Sequence, residues 1–145
     1  MLSSTCKEES ALNRGFTLLE LLIVLAIIGL LSAVAYSSYQ YLLLKARRLD
    51  AQTTLLHYHT QMQKCFITTY NYKACATQLN LSEQQNSFEN FYRVQAITTD
   101  THMFTLEASA QGIQEEDEMC YKFTINHLLQ KQTYDVAGNE SNFCW

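Results

Sequence analysis

The chain contains no proline and only four glycines in 145 residues. Without proline, no residue in the chain forces a kink or a stop in a long helix, because only proline both removes a helical hydrogen bond and clashes with the preceding turn. With so little glycine there is no Gly-rich loop to cradle a phosphate, and neither a nucleophile elbow, a His-rich metal helix nor a convincing pair of catalytic carboxylates is present. No closely spaced cysteine pair supports zinc, and His57 and His59 fall on different faces of a helix, so no metal or other cofactor is expected. Basic residues are scarce after Asp50, with five Lys and Arg against ten Asp and Glu. That balance speaks against a nucleic-acid surface, which normally shows a basic stripe. From Leu21 to Leu44 charge is missing altogether. As a helix, that stretch would reach roughly 36 Å, enough to cross a bilayer.

One carboxylate, Glu20, stands at the near end of this apolar run. An acid inside or beside hydrocarbon costs on the order of a few kcal/mol unless it finds a partner, so a simple anchor has no reason to carry one. The surrounding stretch, Gly15-Phe16-Thr17-Leu18-Leu19-Glu20 continuing through Leu21-Leu22-Ile23-Val24-Leu25-Ala26-Ile27-Ile28-Gly29, resembles the class III signal and N-terminal helix of type IV pilins and pseudopilins. The resemblance implies a polar leader ending at Gly15, cleavage by a dedicated membrane peptidase, N-methylation of the new first residue Phe16, and use of Glu20 in filament assembly. Elementary chemistry agrees with that assignment. A free amine on Phe16 would lie one helical turn from Glu20 on the same face. Opposite charges among apolar helices are far less costly together than apart, within one subunit or between neighbours, and the family implies the second.

Three segments follow from this reading: a leader over 1–15, an apolar transmembrane and filament-core helix over 16–44, and a globular head over 45–145. A competing reading takes Ser32-Ala33-Val34-Ala35 as an ordinary secretory cleavage site, which would leave a soluble domain beginning at Tyr36. Two Glu in the leader and Glu20 at the start of the apolar core oppose it. The basic cluster Lys45, Arg47 and Arg48 flanks the run downstream and, by the positive-inside tendency, would hold the C-terminal part inside the cell. The cysteines and the resemblance place it outside, and these carry more weight.

Ala51, Leu55, Tyr58, Met62 and Phe66 recur at spacings of four and three, so an amphipathic helix should continue to about Cys65. Leu42, Leu49 and Leu56 form a second stripe on another face. Two separated apolar faces imply two partners: the chain's own sheet, and neighbouring helices in a filament. Many type IV pilins carry Pro near the position of Ser37, where it lets the helix bend or melt. Ser37 and Ser38 loosen a helix only mildly, which puts local melting in doubt here.

Residues 66–90 read as a polar surface loop. Alternation then marks strands: Tyr92, Val94 and Ala96; Phe104, Leu106, Ala108 and Ala110; Tyr121, Phe123 and Ile125; and a shorter one at Tyr134 and Val136. The expected fold is α+β, a long N-terminal helix packed on an antiparallel meander of about four strands over 91–145, as in the pilin fold. Glu115 to Glu118 read as a solvated hairpin loop. Calcium there is disfavoured because the carboxylates are consecutive rather than spaced.

Removal of the leader would discard Cys6 and leave Cys65, Cys75, Cys120 and Cys144, which allow three pairings in an oxidising compartment. The preferred set joins Cys65 to Cys75, closing a short loop after the helix, and Cys120 to Cys144, fastening the C-terminal segment to the sheet. The resemblance supports the second pair in particular. Ala110-Gln111-Gly112, Gln114, Asp117, Cys120, the strand Tyr121 to Ile125 and the ending Cys144-Trp145 are similar to PilE-like and competence-pilin-like minor pilins. Tyr36 to Gln40 and Arg47-Arg48 extend that similarity.

The resemblance implies a non-enzymatic subunit, a minor pilin held in the inner membrane with its head in the periplasm and then drawn into a surface type IV pilus. Its implied partners are other pilin subunits, the prepilin peptidase and methylase, the inner-membrane assembly machinery and, before assembly, membrane lipid; nucleic acid is not expected. Its implied roles are pilus biogenesis, twitching motility, adhesion or DNA uptake. The alternatives are a type II secretion pseudopilin, a DNA-receptor pilin and a secreted disulfide-bonded domain.

Overall fold

The computed structural model describes residues 15–145. The leader expectation for residues 1–14, and Cys6 with it, lies outside the described residues. The elements are helix α1 (Leu18–Thr69), helix α2 (Tyr72–Gln78) and strands β1 (Gln85–Asn86), β2 (Tyr92–Thr99), β3 (Phe104–Ala110), β4 (Lys122–Asn126) and β5 (Lys131–Tyr134). Two 3-10 turns, Gly112–Glu116 and Glu118–Cys120, join β3 to β4. By its internal contacts the chain divides into an N-terminal unit ending at Ser38 and a head beginning at Tyr39.

In the N-terminal unit α1 is helical and apolar, and every residue from Gly15 to Tyr36 is exposed. Length and composition are enough for it to cross a membrane. Ser32 donates from Oγ to the Ile28 carbonyl at 2.7 Å and Ser38 to the Val34 carbonyl at 3.4 Å, bonds that satisfy the hydroxyls within the helix. The helix is unbroken through this region, as a chain without proline permits.

The head is a five-stranded sheet in the order β1-β2-β3-β4-β5 with every pair antiparallel. Alternation explains which face is buried. Along β3, Phe104, Leu106, Ala108 and Ala110 are buried while the residues between them are half-exposed. Tyr92, Val94, Phe123 and Ile125 supply the same face from β2 and β4, and from α1 come Ala51, Leu55 and Met62, all fully buried. Tyr58 and Phe66, also on that stripe, pack at the margin of the core. The expected helix-on-sheet architecture is present. A bulge between Ala96 and Thr98 shifts the register of β2 against β3 and leaves Ile97 half-exposed.

Three details differ from the sequence reading. Residues 66–90, expected as a loop, contain α2 and β1: Asn71 caps α2 by accepting from the Ala74 N–H at 3.2 Å, and Tyr72, Cys75 and Ala76 bury against the core. Helix α1 continues four residues past Cys65. The last strand lies at Lys131–Tyr134, so Val136 is outside it and exposed.

Candidate assembly surface

At the N-terminus the chain enters α1 through a cap. Thr17 accepts the Glu20 N–H on Oγ1 at 3.2 Å, and its carbonyl takes the Leu21 N–H at 3.2 Å. With Glu20 three residues on, Thr17 has the spacing of a capping box. Phe16 precedes the helix and is 88% exposed; Glu20 sits in the first turn, also exposed. In the intact chain Gly15 still precedes Phe16, so there is no free amine at that position, and among the described residues no ion pair reaches Glu20.

In the head, the two stripes of α1 have different fates. Ala51, Leu55 and Met62 are core, whereas Leu42, Leu49 and Leu56 remain 61%, 58% and 36% exposed. One subunit therefore does not bury both stripes. Beside Leu49 runs an open groove of about 390 Å³ lined by Leu43, Ala46, Thr53, Phe88 and Phe91.

A buried carboxylate builds one wall of this groove. Asp50 accepts the Ser87 hydroxyl and the backbone N–H groups of Glu89 at 3.0 Å and Phe91 at 3.2 Å. With these three contacts the Phe88 N–H, donated to Thr54 Oγ1 at 3.3 Å, ties segment 87–91 to the helix. Phe88 is therefore held at the surface, edge-on to His57 at 5.3 Å, and Arg47 lies over the Phe91 ring at 4.9 Å.

The charge clusters singled out in the sequence need correction. Arg48 does not flank a membrane in solvent. It is buried and donates Nε and Nη2 to Asp117 at 2.7 and 2.9 Å. Asp117 is correspondingly not part of a solvated run, although Glu115, Glu116 and Glu118 are exposed. Gln114, fully buried, completes the arrangement by donating to the Leu44 carbonyl at 3.2 Å and to Asp117 at 3.1 Å. The 3-10 segment is thereby clamped to α1. Burial also shapes titration inside the head, pushing the Tyr92 phenol well above the ordinary tyrosine range and holding His59 below the ordinary histidine value.

Disulfides join Cys65 to Cys75 and Cys120 to Cys144. The first ties the last turns of α1 to α2. The second brings the C-terminal segment back to the turn before β4, where Trp145 packs edge-on against Phe123 at 5.7 Å and donates its indole N–H to the Gln132 carbonyl at 3.0 Å. Gln52 also donates to the Cys144 carbonyl at 2.8 Å, so the tail touches helix and sheet together. Among the described residues no cluster of His, Cys, Asp and Glu could hold a metal ion.

Residues 37–124 match the family described as type IV minor pilin ComP, DNA uptake sequence receptor. The chain belongs to the type IV minor pilin ComP family. Residues 11–36 of this pilin separately match the prokaryotic N-terminal methylation motif. It is 29% identical over 128 residues to the type IV major pilin protein PilA of Myxococcus xanthus, an alignment covering 86% of this chain and 58% of that protein. It is 43% identical over 53 residues to the prepilin peptidase-dependent protein D of Escherichia coli, covering 37% and 36% of the two chains. The pilin thus aligns with little more than half the length of the first relative and about a third of the second. The non-core minor pilin PilV of Neisseria meningitidis has the same fold, with a TM-score of 0.54 at 20% identity over 70% of this pilin and 96% of that chain.

The sequence had marked the Phe16–Glu20 pattern, the Leu stripe and the cysteines. It did not mark Asp50, Arg48 with Asp117, or Phe88. Thr17-x-x-Glu20 is the one omission with a local signal, the capping-box spacing; the others depend on partners 31 to 69 residues away.

Proposed function

We propose that this chain is a minor pilin incorporated as a structural subunit of a type IV pilus. The observation that carries the reading is the double stripe of α1: one face is consumed by the head's own core while Leu42, Leu49 and Leu56 stay exposed on the other. An unpartnered apolar face continuous with a groove is what a subunit presents to its neighbours, and singly scattered surface leucines would not be aligned in this way. On this reading, cleavage after Gly15 frees the Phe16 amine, methylation marks it, and Glu20 of a neighbouring subunit receives it during assembly. The chain waits in the inner membrane with its head in the periplasm, its partners being the prepilin peptidase and methylase, the assembly machinery, lipid and other pilins.

The test is the intact mass and N-terminal sequence of the protein recovered from its native membrane, followed by recovery of Glu20→Ala in sheared filaments. A chain starting at Phe16 with one added methyl group, and a Glu20→Ala variant that stays in the membrane, are expected. A chain starting at Tyr36 would overturn the proposal.

A second reading, DNA binding, is favoured by the family description of residues 37–124. The available cations are few, and several of them are engaged. Arg93 donates to Gln111 at 2.8 Å, Lys122 pairs with Glu107 at 3.3 Å, and Lys131 lies over Trp145 at 4.5 Å. A gel shift that weakens with salt and is lost in Arg93→Ala or Lys131→Ala would support it; absence of any shift at low salt would remove it.

A further inference from the structure

One end of the head, formed where α1 stops, carries an apolar tip that the filament reading does not use. Three turns meet there. Tyr72 donates its N–H to the Thr101 carbonyl at 3.1 Å, joining the α1–α2 turn to the β2–β3 turn. His127 donates its N–H to the Phe104 carbonyl at 3.0 Å, joining that turn to the β4–β5 hairpin. Each turn raises large apolar side chains into solvent: Ile67 and Tyr70 (both 70% exposed), Met103 (50%), and Leu128 with Leu129 (66% and 52%).

Backbone geometry makes this exposure unusual. Among the described residues four non-glycine residues have left-handed φ, and two of them are asparagines, which tolerate it. The two bulky ones are Tyr70 (φ 53°) and Leu129 (φ 62°), and both lie at this end. Tyr70 occupies the position just past a helix where glycine is usual, its N–H bonded to the Phe66 carbonyl at 2.8 Å. Leu129 follows a turn closed by its N–H on the Asn126 carbonyl at 3.0 Å, again a glycine or asparagine position. Large side chains kept where the backbone disfavours them, at the tips of separate turns, point to a role outside the fold.

We propose that this tip inserts into the interface of a zwitterionic lipid bilayer. Charge decides the class of surface. Across residues 66–73, 99–104 and 126–130 the only charged side chains are Lys73 and Asp100, one of each sign, although the head as a whole is acidic. An anionic membrane would repel the head, while a neutral one accepts this end. Area decides against a second copy. Five such side chains, 50% to 70% exposed, present on the order of 600 Å², below the roughly 800 Å² per partner of a stable interface. Prongs on separate turns also suit a soft apolar phase better than a flat protein face, and Tyr70 adds a ring suited to the headgroup level. The proposal does not depend on filament assembly.

The test uses the full chain held by its apolar helix in lipid nanodiscs and mixed with phosphatidylcholine vesicles, with empty discs as the blank. Co-flotation insensitive to salt between 0.1 and 1 M is expected. Leu128→Ser with Leu129→Asn, which also relieves the left-handed leucine, should lower the floated fraction about tenfold or more, and Met103→Ser several-fold. An unchanged thermal midpoint shows that each variant is folded. Failure of the unaltered chain to float, or equal flotation by the variants, overturns the proposal. So does vesicle-independent pairing of discs that the same variants abolish, which would assign the tip to a second copy of the chain.

Discussion

Helix α1 treats its apolar residues in two opposite ways. Between Leu18 and Tyr36 every side chain is exposed, whereas between Ala51 and Met62 the apolar side chains divide between core and surface. Secondary structure is the same in both stretches; what differs is the presence of a sheet to receive one face. Leu21 and Leu55 are chemically identical, yet Leu21 is 58% exposed and Leu55 is fully buried. Hydrophobicity states that a side chain needs a partner. It does not say whether that partner belongs to the same chain, and in the N-terminal stretch none of the described residues covers it.

The sharpest way to break the comparison is at the clamp that makes the head's half of the helix a core element. Asp117→Ala leaves the Arg48 guanidinium buried without its carboxylate, and should destabilise the head by about 3–5 kcal/mol. Replacing both partners, Arg48→Met with Asp117→Leu, should recover most of that loss. The measurement is denaturant unfolding of the full chain in detergent, followed by the fluorescence of Trp145, the single tryptophan. Equal stability of Asp117→Ala and the unaltered chain would mean that the clamp does not hold the helix.

Next in size is a pair of leucines six residues apart. Leu55→Ala should cost about 2–5 kcal/mol, because it removes buried methyl groups and leaves a cavity beneath the sheet. Leu49→Ala, on the exposed stripe, should change stability by less than about 0.5 kcal/mol and yet reduce recovery of the subunit in sheared filaments. If Leu49→Ala unfolds the head, the two faces are not separate, and the reading of the second stripe as a surface for neighbours fails.

These two experiments also separate what the residues announce from what they conceal. The stripe Ala51, Leu55, Tyr58, Met62 and Phe66 and the alternation along β3 are local periodicities, and each is legible because a helix or a strand repeats its faces over a few residues. The clamp is different in kind. Arg48 and Asp117 are 69 positions apart; in sequence Arg48 belongs to a basic cluster that flanks the apolar run, and Asp117 to an acidic run that reads as a solvated loop. Asp50 likewise has no local pattern, since its acceptors are filled by backbone N–H groups of a segment 39 and 41 residues onward. Helix α2 escaped for another reason: seven residues give barely two turns, too few for a period to show among Thr, Asn and Gln. At the N-terminus, Phe16 and Glu20 stood out because an acid beside hydrocarbon is costly, and that same prominence obscured Thr17, whose cap uses the backbone N–H of Glu20 rather than its carboxylate.

The smallest effect expected lies at His59, where the head's buried face carries a titrating group. The ring packs against Phe104 at 5.3 Å and is 6% exposed. Burial is the main cause that holds its pKa below the ordinary 6.5; the carbonyls of His127 and Asn126 oppose this, and the neighbouring His127 reinforces it. A folded-state value below the unfolded one means that the unfolded chain binds the proton more readily in that range. The contribution of neutral His59 is therefore fully present above about pH 6.5 and is lost as pH falls through the lowered value. His127 is the titratable group that faces it from the β4–β5 turn, so the pair must be separated by mutation. His59→Gln should flatten the decline in thermal midpoint between pH 7 and 5, and His127→Gln should leave most of that slope in place. The reverse pattern would move the sensitivity from the helix to the hairpin, and the buried face of α1 would then be inert to acid.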